Sequence, residues 1–385
     1  MNPVINMNSE KWILEERWEW RKLVTFIPNK NLPIYSWFYF KEGFSRDFVH
    51  MMIDSFKLDN RSIILDPFVG SGTTLLACKE RTIDSVGVDV APLAVFVSQT
   101  KTADYKIDEL IKIAKQIFEK KFERQNLNQV SRFTRQFFSK PSLEDILFFR
   151  EQVRKIEDPA AKNFFTLALM NAAMKVSYAY KDGAVLRVVK KPFPPFRKFY
   201  KKIIKKMIKD LKKTNFKPCR IEIYLGDARK MDFLENDLFD AIITSPPYLN
   251  KIEYTKIYRI EYELFFEDVK VDPIRSYIGL NPKNVVDPFL GLDLPEAAKA
   301  YFQDMKLALR EMFRVLKKGG RASIVVAGGV FPDRVVESDI LIAELAENIG
   351  FNVDKIITVN KRVATTKRVI KIGEARESII MLSKP

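Results

Sequence analysis

Ser62-Ile63-Ile64-Leu65-Asp66-Pro67-Phe68-Val69-Gly70-Ser71-Gly72-Thr73-Thr74 is the stretch on which the fold turns. Its first four residues read as a short apolar strand that stops at Asp66-Pro67-Phe68. A turn of small residues follows, and then a helical pattern through Leu76 and Ala77. A second strand, Ser85 to Val88, ends at Asp89, which completes one βαβ unit.

Working outward, strand signals return at Ile221 to Leu225, ending in Gly226-Asp227, and at Asp240 to Ile243, ending in Thr244-Ser245-Pro246-Pro247-Tyr248. A helix with apolar positions at Ala298, Phe302, Met305, Leu309, Met312 and Leu316 leads to a strand at Ala322 to Val326. A further helix, Ile340 to Asn348, precedes two β-rich segments, Lys355 to Val359 and Ser378 to Leu382, able to pair antiparallel. Strand and helix alternating in this way predict an α/β fold, a Rossmann-like, doubly wound, mostly parallel sheet. Towards the N-terminus, Lys11 to Val24 has helical character, and a Pro/Asn-rich break runs to Pro33. Tyr35 to Phe40 is aromatic, and Ser45 opens a helix running to Phe56. Residues 103–218 interrupt the alternation; they read as mainly helical, without strong strand signals. Three parts result: 1–102 with the first half of the sheet, a basic helical insertion at 103–218, and 219–385 with the second half.

Bulk properties narrow the classes. With 385 residues and 47% apolar content, the chain can bury a sizeable core. No apolar run reaches the ~18 residues of a membrane span, and the start lacks the apolar stretch of a signal peptide, so a cytoplasmic location is expected. Two cysteines, Cys78 and Cys219, and one histidine, His50, make neither a disulfide framework nor a metal site, and no metal is expected. Lysine and arginine exceed acidic residues by 16, a balance that favours a polyanionic partner, nucleic acid first.

Ligands of open parallel sheets sit beyond the carboxyl ends of the strands. Asp66, Asp89 and Asp227 fall at such ends. Gly70 and Gly72 let the backbone approach a ligand, and Asp89 stands where a carboxylate can accept ribose hydroxyls. Thr73 follows Gly72 where a P-loop needs lysine, and Leu75 stands where a dinucleotide fingerprint wants a third glycine. A carboxylate at Asp66 suits a cationic ligand end and repels pyrophosphate.

These residues resemble a known family. Asp66 to Thr74 resembles motif I of the amino-methylating DNA methyltransferases, and Thr244-Ser245-Pro246-Pro247-Tyr248 resembles their motif IV. Asp89 matches the acidic residue of motif II, and Gly226-Asp227-Ala228 resembles motif III, near the adenine of the cofactor. The resemblance implies a class I methyltransferase fold, S-adenosylmethionine held by Asp66, Pro67, Phe68, Gly70, Gly72, Thr73, Asp89 and Asp227, and double-stranded DNA as substrate. A separately encoded restriction endonuclease is the partner usual in this setting. Phe40 to Ile53, with Phe44, Phe48 and Val49, looks like a weak motif X able to close over the cofactor's methionine end; an ordinary packing helix is the competing reading.

The chemistry fits those residue types. An exocyclic amine is a poor nucleophile because its lone pair is delocalised into the ring. The Ser245 hydroxyl and the Pro246 carbonyl can accept its N–H bonds, Pro246-Pro247 stiffens the loop, and Tyr248 offers a ring to an extruded base. The loop holds no cysteine, so carbon-5 methylation through a thiolate is not indicated. Serine at the first loop position goes mostly with cytosine N4 in this family and aspartate with adenine N6, which favours N4. An RNA base-amine methyltransferase, a non-catalytic nucleic-acid-binding protein of the same fold and a dehydrogenase remain as alternatives. The nucleic-acid-binding candidates lie in the insertion: Lys202, Lys205, Lys206 and Lys209, on a helix whose apolar positions are Phe199, Ile203, Met207 and Leu211, together with Arg187.

Overall fold

The computed structural model describes residues 11–40, 43–182, 185–249, 254–266, 287–289, 292–366 and 370–385. In chain order the strands are β1 (Leu14–Glu16), β2 (Ile63–Asp66), β3 (Asp84–Asp89), β4 (Ala179–Asp182), β5 (Val185–Val188), β6 (Ile221–Leu225), β7 (Phe239–Thr244), β8 (Leu316–Ala327), β9 (Gly329–Val330), β10 (Val335–Val336), β11 (Asn352–Thr366) and β12 (Ile370–Ser383). The helices are α1 (Arg46–Ser55), α2 (Thr73–Arg81), α3 (Pro92–Thr102), α4 (Ile107–Glu119), α5 (Arg132–Arg135), α6 (Lys140–Arg154), α7 (Pro159–Lys175), α8 (Phe196–Leu211), α9 (Tyr254–Ile257), α10 (Arg259–Phe265), α11 (Glu296–Val315) and α12 (Ser338–Ile349).

Eight strands form one sheet in the order β1-β11-β12-β8-β7-β2-β3-β6. All neighbours are parallel except β12, which runs antiparallel to both β8 and β11. The chain builds outward from β2 through β3 to β6, then returns and builds the other way from β7 to β8. The direction therefore reverses between β2 and β7, and such a switch point is where sheets of this kind generally receive ligands.

The strand sequences explain the layering. In β2, Ile64 faces a core with α1 and α2, where it meets Phe48, Met52, Ala77 and Cys78. Leu65, pointing the opposite way, joins α11 and α12 through Leu309, Met312, Ile342 and Leu345. β7 divides likewise, with Ala241 and Ile243 on the first face and Ile242 on the second. A strand buried on both faces carries an unbroken apolar run, as these do. No helix among the described residues is long and apolar enough to cross a membrane.

The insertion lies between β3 and β6, and α6, α7 and α8 build a third core from Phe148, Phe149, Phe164, Phe165 and Tyr200. That core also takes in Ile34 to Phe38 and Tyr258 to Leu264, so it extends past residues 103–218 on both sides. Three local expectations are corrected. Lys11 to Val24 is not helical throughout: Leu14–Glu16 is the parallel edge strand beside β11, and only Trp18–Lys22 forms a short 3₁₀ turn. The insertion does contain strands, the antiparallel hairpin β4–β5. On α8, Phe196, Tyr200, Ile204 and Met207 are the buried positions, while Phe199, Ile203 and Leu211 are half-buried. The stripe is rotated because Tyr200 packs against Phe149 and donates to the Phe165 carbonyl at 3.2 Å.

Candidate active site

The carboxyl ends of β2 and β7 meet through one buried carboxylate. Asp66 is 2% exposed. Its Oδ1 accepts from Thr244 Oγ1 at 2.6 Å and from the Phe68 N–H at 3.2 Å, and its Oδ2 accepts from Thr74 Oγ1 at 2.6 Å. Burial pushes the Asp66 carboxyl up to about 6, against the pull of these donors. The geometry gives Asp66 a part the sequence did not suggest: it clamps the glycine turn to the strand that leads into Ser245. Pro67 and Phe68 continue from it at the mouth of the turn, and Phe68 is half-buried.

Gly70 and Gly72 both have positive φ, +51° and +76°, which glycine adopts without strain. Close packing adds a second reason for each. A Cβ on Gly72 would lie 2.9 Å from Ser98 Oγ, and one on Gly70 would lie 3.2 Å from the Phe40 ring. Ser98, on α3, donates to the Gly70 carbonyl at 3.0 Å. Thr73 starts α2 directly after the turn and is buried.

Asp89 terminates β3 beside the turn. Its Oδ2 accepts from the Gly70 N–H and its Oδ1 from the Ala91 N–H, each at 2.9 Å. Burial raises its carboxyl to about 6. The side chain remains partly exposed, and a carboxylate with two oxygens keeps acceptor capacity beyond two N–H bonds. Asp227, at the end of β6, faces a different partner. Arg229 grips it at 3.0 and 2.6 Å and reaches on to Asp304 at 2.9 Å. In this state Asp227 is half of an ion pair, with the guanidinium between it and α11.

The Ser245-Pro246-Pro247-Tyr248 corner leaves the end of β7. Ser245 Oγ donates to the Val325 carbonyl of β8 at 3.1 Å, which fixes the hydroxyl. Pro246 is buried, and Ser245, Pro247 and Tyr248 are half-buried. The Tyr248 hydroxyl donates to Glu377 Oε1 on β12 at 3.2 Å. Leu249, behind the corner, would collide with any Cβ on Gly329, at 2.5 Å. A missing side chain on β9 thus makes room for the loop.

The motif X reading splits in two. Phe44, Phe48 and Val49 are buried in the core between α1 and the sheet, so they do not close over the crevice. Ser45 caps that helix by accepting from the Phe48 N–H at 3.2 Å. Phe40 does lie at the glycine turn, stacked on Tyr258 with ring centroids 6.1 Å apart and planes 4° from parallel. Tyr258 in turn carries Lys181 of β4 over its ring at 4.0 Å, and Lys181 pairs with the buried Glu261 at 2.8 Å. The insertion therefore touches the glycine turn through Tyr258 and Phe40. Tyr258 carries no local signal of this contact, and the sequence did not single it out.

The cysteines and histidine stay outside the site. Cys78 is buried with its thiol pushed well up, Cys219 is half-buried with its thiol also raised by burial, and His50 pairs with Glu80 at 3.0 Å. On α8, Lys202, Lys205 and Lys209 are exposed, as is Arg187 on β5. Lys206 is exposed too but tied down, with Nζ 2.6 Å from Ser36 Oγ and 3.4 Å from Asp210. Asp210 also accepts from the Trp37 ring nitrogen at 3.1 Å, so Lys206 belongs to the seam between α8 and the N-terminal segment.

Known proteins share this arrangement of sequence. The chain is 26% identical over 451 residues to the Type II methyltransferase M.BsoBI of Geobacillus stearothermophilus, covering 95% of this chain and 88% of that one. It is 28% identical over 408 residues to the Type II methyltransferase M.AvaI of Nostoc sp., covering 88% and 83%. A family model for N6/N4 DNA methylases matches residues 7–99 and 239–385 and passes over the stretch between. Those matched residues hold both strand-end corners and most of the central sheet, and the chain belongs to the DNA methylase family.

Proposed function

We propose that this methyltransferase acts on the exocyclic amine of a base swung out of duplex DNA, and that cytosine N4 is preferred to adenine N6. The observation that carries the reading is the Ser245 hydroxyl. Its proton is committed to the Val325 carbonyl, so its lone pairs are left to accept from an incoming amine. The Pro246 carbonyl is the second acceptor, held by two successive prolines. Together they draw the amine nitrogen towards pyramidal geometry and localise its lone pair. Tyr248, pinned by Glu377, offers a ring for the extruded base, whose unstacking otherwise costs a few kcal/mol.

The methyl donor is S-adenosylmethionine, which when bound supplies an electrophilic methyl group on a sulfonium centre. The donor set suits it: the Asp66 carboxylate buried beneath the turn, no lysine in the turn, and the partly exposed Asp89 carboxylate able to receive ribose hydroxyls. Pro67, Phe68, Gly70, Gly72 and Thr73 would shape its seat, with Asp227 near the adenine once Arg229 shares it. Holding both partners in line can supply up to ~7–11 kcal/mol of the barrier. Support for one shared crevice comes from the 2.6 Å bond between Asp66 and Thr244, the residue before Ser245.

A pH dependence follows. Asp66 and Asp89 protonate as pH falls through about 6; only their ionised forms attract a cation, and the ionised forms are the stronger acceptors of hydroxyl protons. Cofactor affinity is expected to be flat above pH 7 and to weaken below about 6, by up to about tenfold per pH unit for each carboxylate. The empty protein has the opposite sign. Its raised carboxyls bind more protons folded than unfolded, so their contribution to stability falls as pH rises between about 4 and 6. Calorimetric titration from pH 7.5 to 5.0 checks the first statement, and an unchanged affinity would refute it.

We assign residues 103–218 to target recognition, since the family model passes over this region and the exposed face of α8 is basic. Replacing Lys202, Lys205 and Lys209 by alanine is expected to flatten the salt dependence of DNA binding by about 0.9 in log–log slope for each phosphate left without its lysine. Lys206→Ala should instead lower the melting temperature. A modification methyltransferase paired with an endonuclease is the biological setting proposed. Digestion of treated plasmid DNA followed by nucleoside mass spectrometry tests the base: N4-methylcytosine supports the reading, and N6-methyladenine transfers it to the second amine.

A further inference from the structure

β8 ends at Ala327, which pairs with Glu377 of β12. Past that point β11 and β12 pair as strands only with each other, from Asn360↔Glu377 to Thr366↔Ile370, with Val335 of β10 packed beside Gly373 on one face. At about 3.3 Å per residue this two-stranded ribbon reaches roughly 20 Å beyond the carboxyl ends of the parallel strands. That is the side on which the Ser245–Tyr248 corner lies.

The root of the ribbon is firmly held. Arg376 donates to the buried Asp339 at 3.0 and 3.1 Å and pairs with Glu337 at 2.9 Å, while Ser378 donates to Asp339 at 2.8 Å. The Gly328 N–H donates to the Arg376 carbonyl at 2.8 Å. Across the ribbon Asn360 donates to Glu377 Oε2 at 3.2 Å, and Glu377 Oε1 is the atom that receives the Tyr248 hydroxyl. One carboxylate joins the root of the ribbon to the tyrosine of the catalytic corner.

The outer part is different. Val363 is 61% exposed and Ile370 57% exposed, although both are β-branched and apolar. Lys371 pairs with Glu374, and Lys361 with Glu16. Arg362 is exposed and has no ion-pair partner among the described residues. A two-stranded ribbon by itself is marginal in water, and this one spends apolar side chains on solvent.

We propose that the outer β11–β12 ribbon is a DNA-contacting arm, with Arg362 on a phosphate and Val363 and Ile370 against the bases flanking the extruded nucleotide. The inference rests on DNA being the substrate. A ribbon of this width fits a groove of duplex DNA. A guanidinium contacts phosphate without reading sequence, and apolar side chains wedge between base steps and stabilise a gap in the stack. Through Glu377 the arm's seating on the duplex also sets the position of Tyr248.

The test uses the full-length protein and a duplex carrying 2-aminopurine at the target position. A triple variant, Arg362→Ala, Val363→Ser and Ile370→Ser, is expected to raise the DNA Kd at least tenfold and to reduce the fluorescence rise that accompanies extrusion. Its cofactor Kd and melting temperature should match wild type. Arg362→Glu alone, a surface change that leaves the ribbon's pairing intact, should weaken DNA binding and lower the salt slope by about 0.9. Wild-type DNA affinity and extrusion in both variants would overturn the arm. Failure of the wild-type protein itself to bind or methylate the duplex would overturn the DNA reading beneath it.

Discussion

Ser245→Ala is expected to lower kcat by roughly 10²- to 10³-fold, the range found when one preorganised hydrogen-bonding group is removed from the reacting centre. Cofactor affinity should stay near wild type, because the glycine turn is built on β2 and α2 and does not use the hydroxyl. Folding should change little: Ser245 is half-buried, and alanine forfeits a single bond to the Val325 carbonyl. DNA binding should also persist, since Tyr248 and the basic surface are untouched. The signature is therefore a loss confined to the chemical step, read from single-turnover kinetics beside calorimetry. If S245A turned over at the wild-type rate, the amine would have to be activated by some other group. If it lost cofactor binding as well, the hydroxyl would be part of the cofactor seat.

Asp66→Ala is expected to act on stability first. It strips the Thr244 hydroxyl and the Phe68 N–H of their acceptor inside a closed site, and each orphaned buried donor costs about 1–3 kcal/mol. Thr74 suffers less, because its hydroxyl also lies 3.3 Å from the Ile243 carbonyl and can turn to it. A loss of about 2–5 kcal/mol follows, a large part of the ~5–15 kcal/mol that holds a typical domain folded. Asp66→Asn discriminates the cause. Its amide oxygen can serve Thr244 and Phe68, and its NH₂ can donate to Thr74, whose own proton then goes to Ile243. The Asn variant should therefore lose well under half of what Ala loses, while both lose the negative charge beside the cofactor. Urea unfolding of the two variants reads this difference. Equal destabilisation would mean that charge, and not hydrogen bonding, joins the strand ends.

Much of this was visible in local sequence because much of it is local. The glycine turn, the strand before it and the Pro-Pro corner each owe their conformation to neighbours within a few residues, and their chemistry is carried by residue type. The Ser45 cap and the antiparallel pairing of β11 with β12 were legible for the same reason. What escaped notice depends on contacts between distant residues. Asp66 became a clamp through Thr244, 178 positions away, and Tyr248 is held by Glu377, 129 positions away. Nothing in the Leu14–Glu16 triplet marks it as a strand; it becomes one because β11 presents an open edge. Lys206 looked like its neighbours Lys202 and Lys205 until folding brought Ser36, 170 positions away, beside it. Periodicity placed α8 correctly as an amphipathic helix with a basic face. Which apolar positions turned inward was decided by the aromatic cluster around Tyr200.

The most direct measurement is a crystal structure of the protein with a non-reactive cofactor analogue and a duplex containing its target site. The expected result is an extruded base stacked on Tyr248, with its amino nitrogen within hydrogen-bonding reach of Ser245 Oγ and the Pro246 carbonyl, and the analogue's sulfonium-equivalent atom in line across the Asp66–Thr244 junction. An analogue seated away from residues 66–74, or a base docked where Ser245 cannot reach its amine, would contradict the assignment of a single crevice at the ends of β2 and β7.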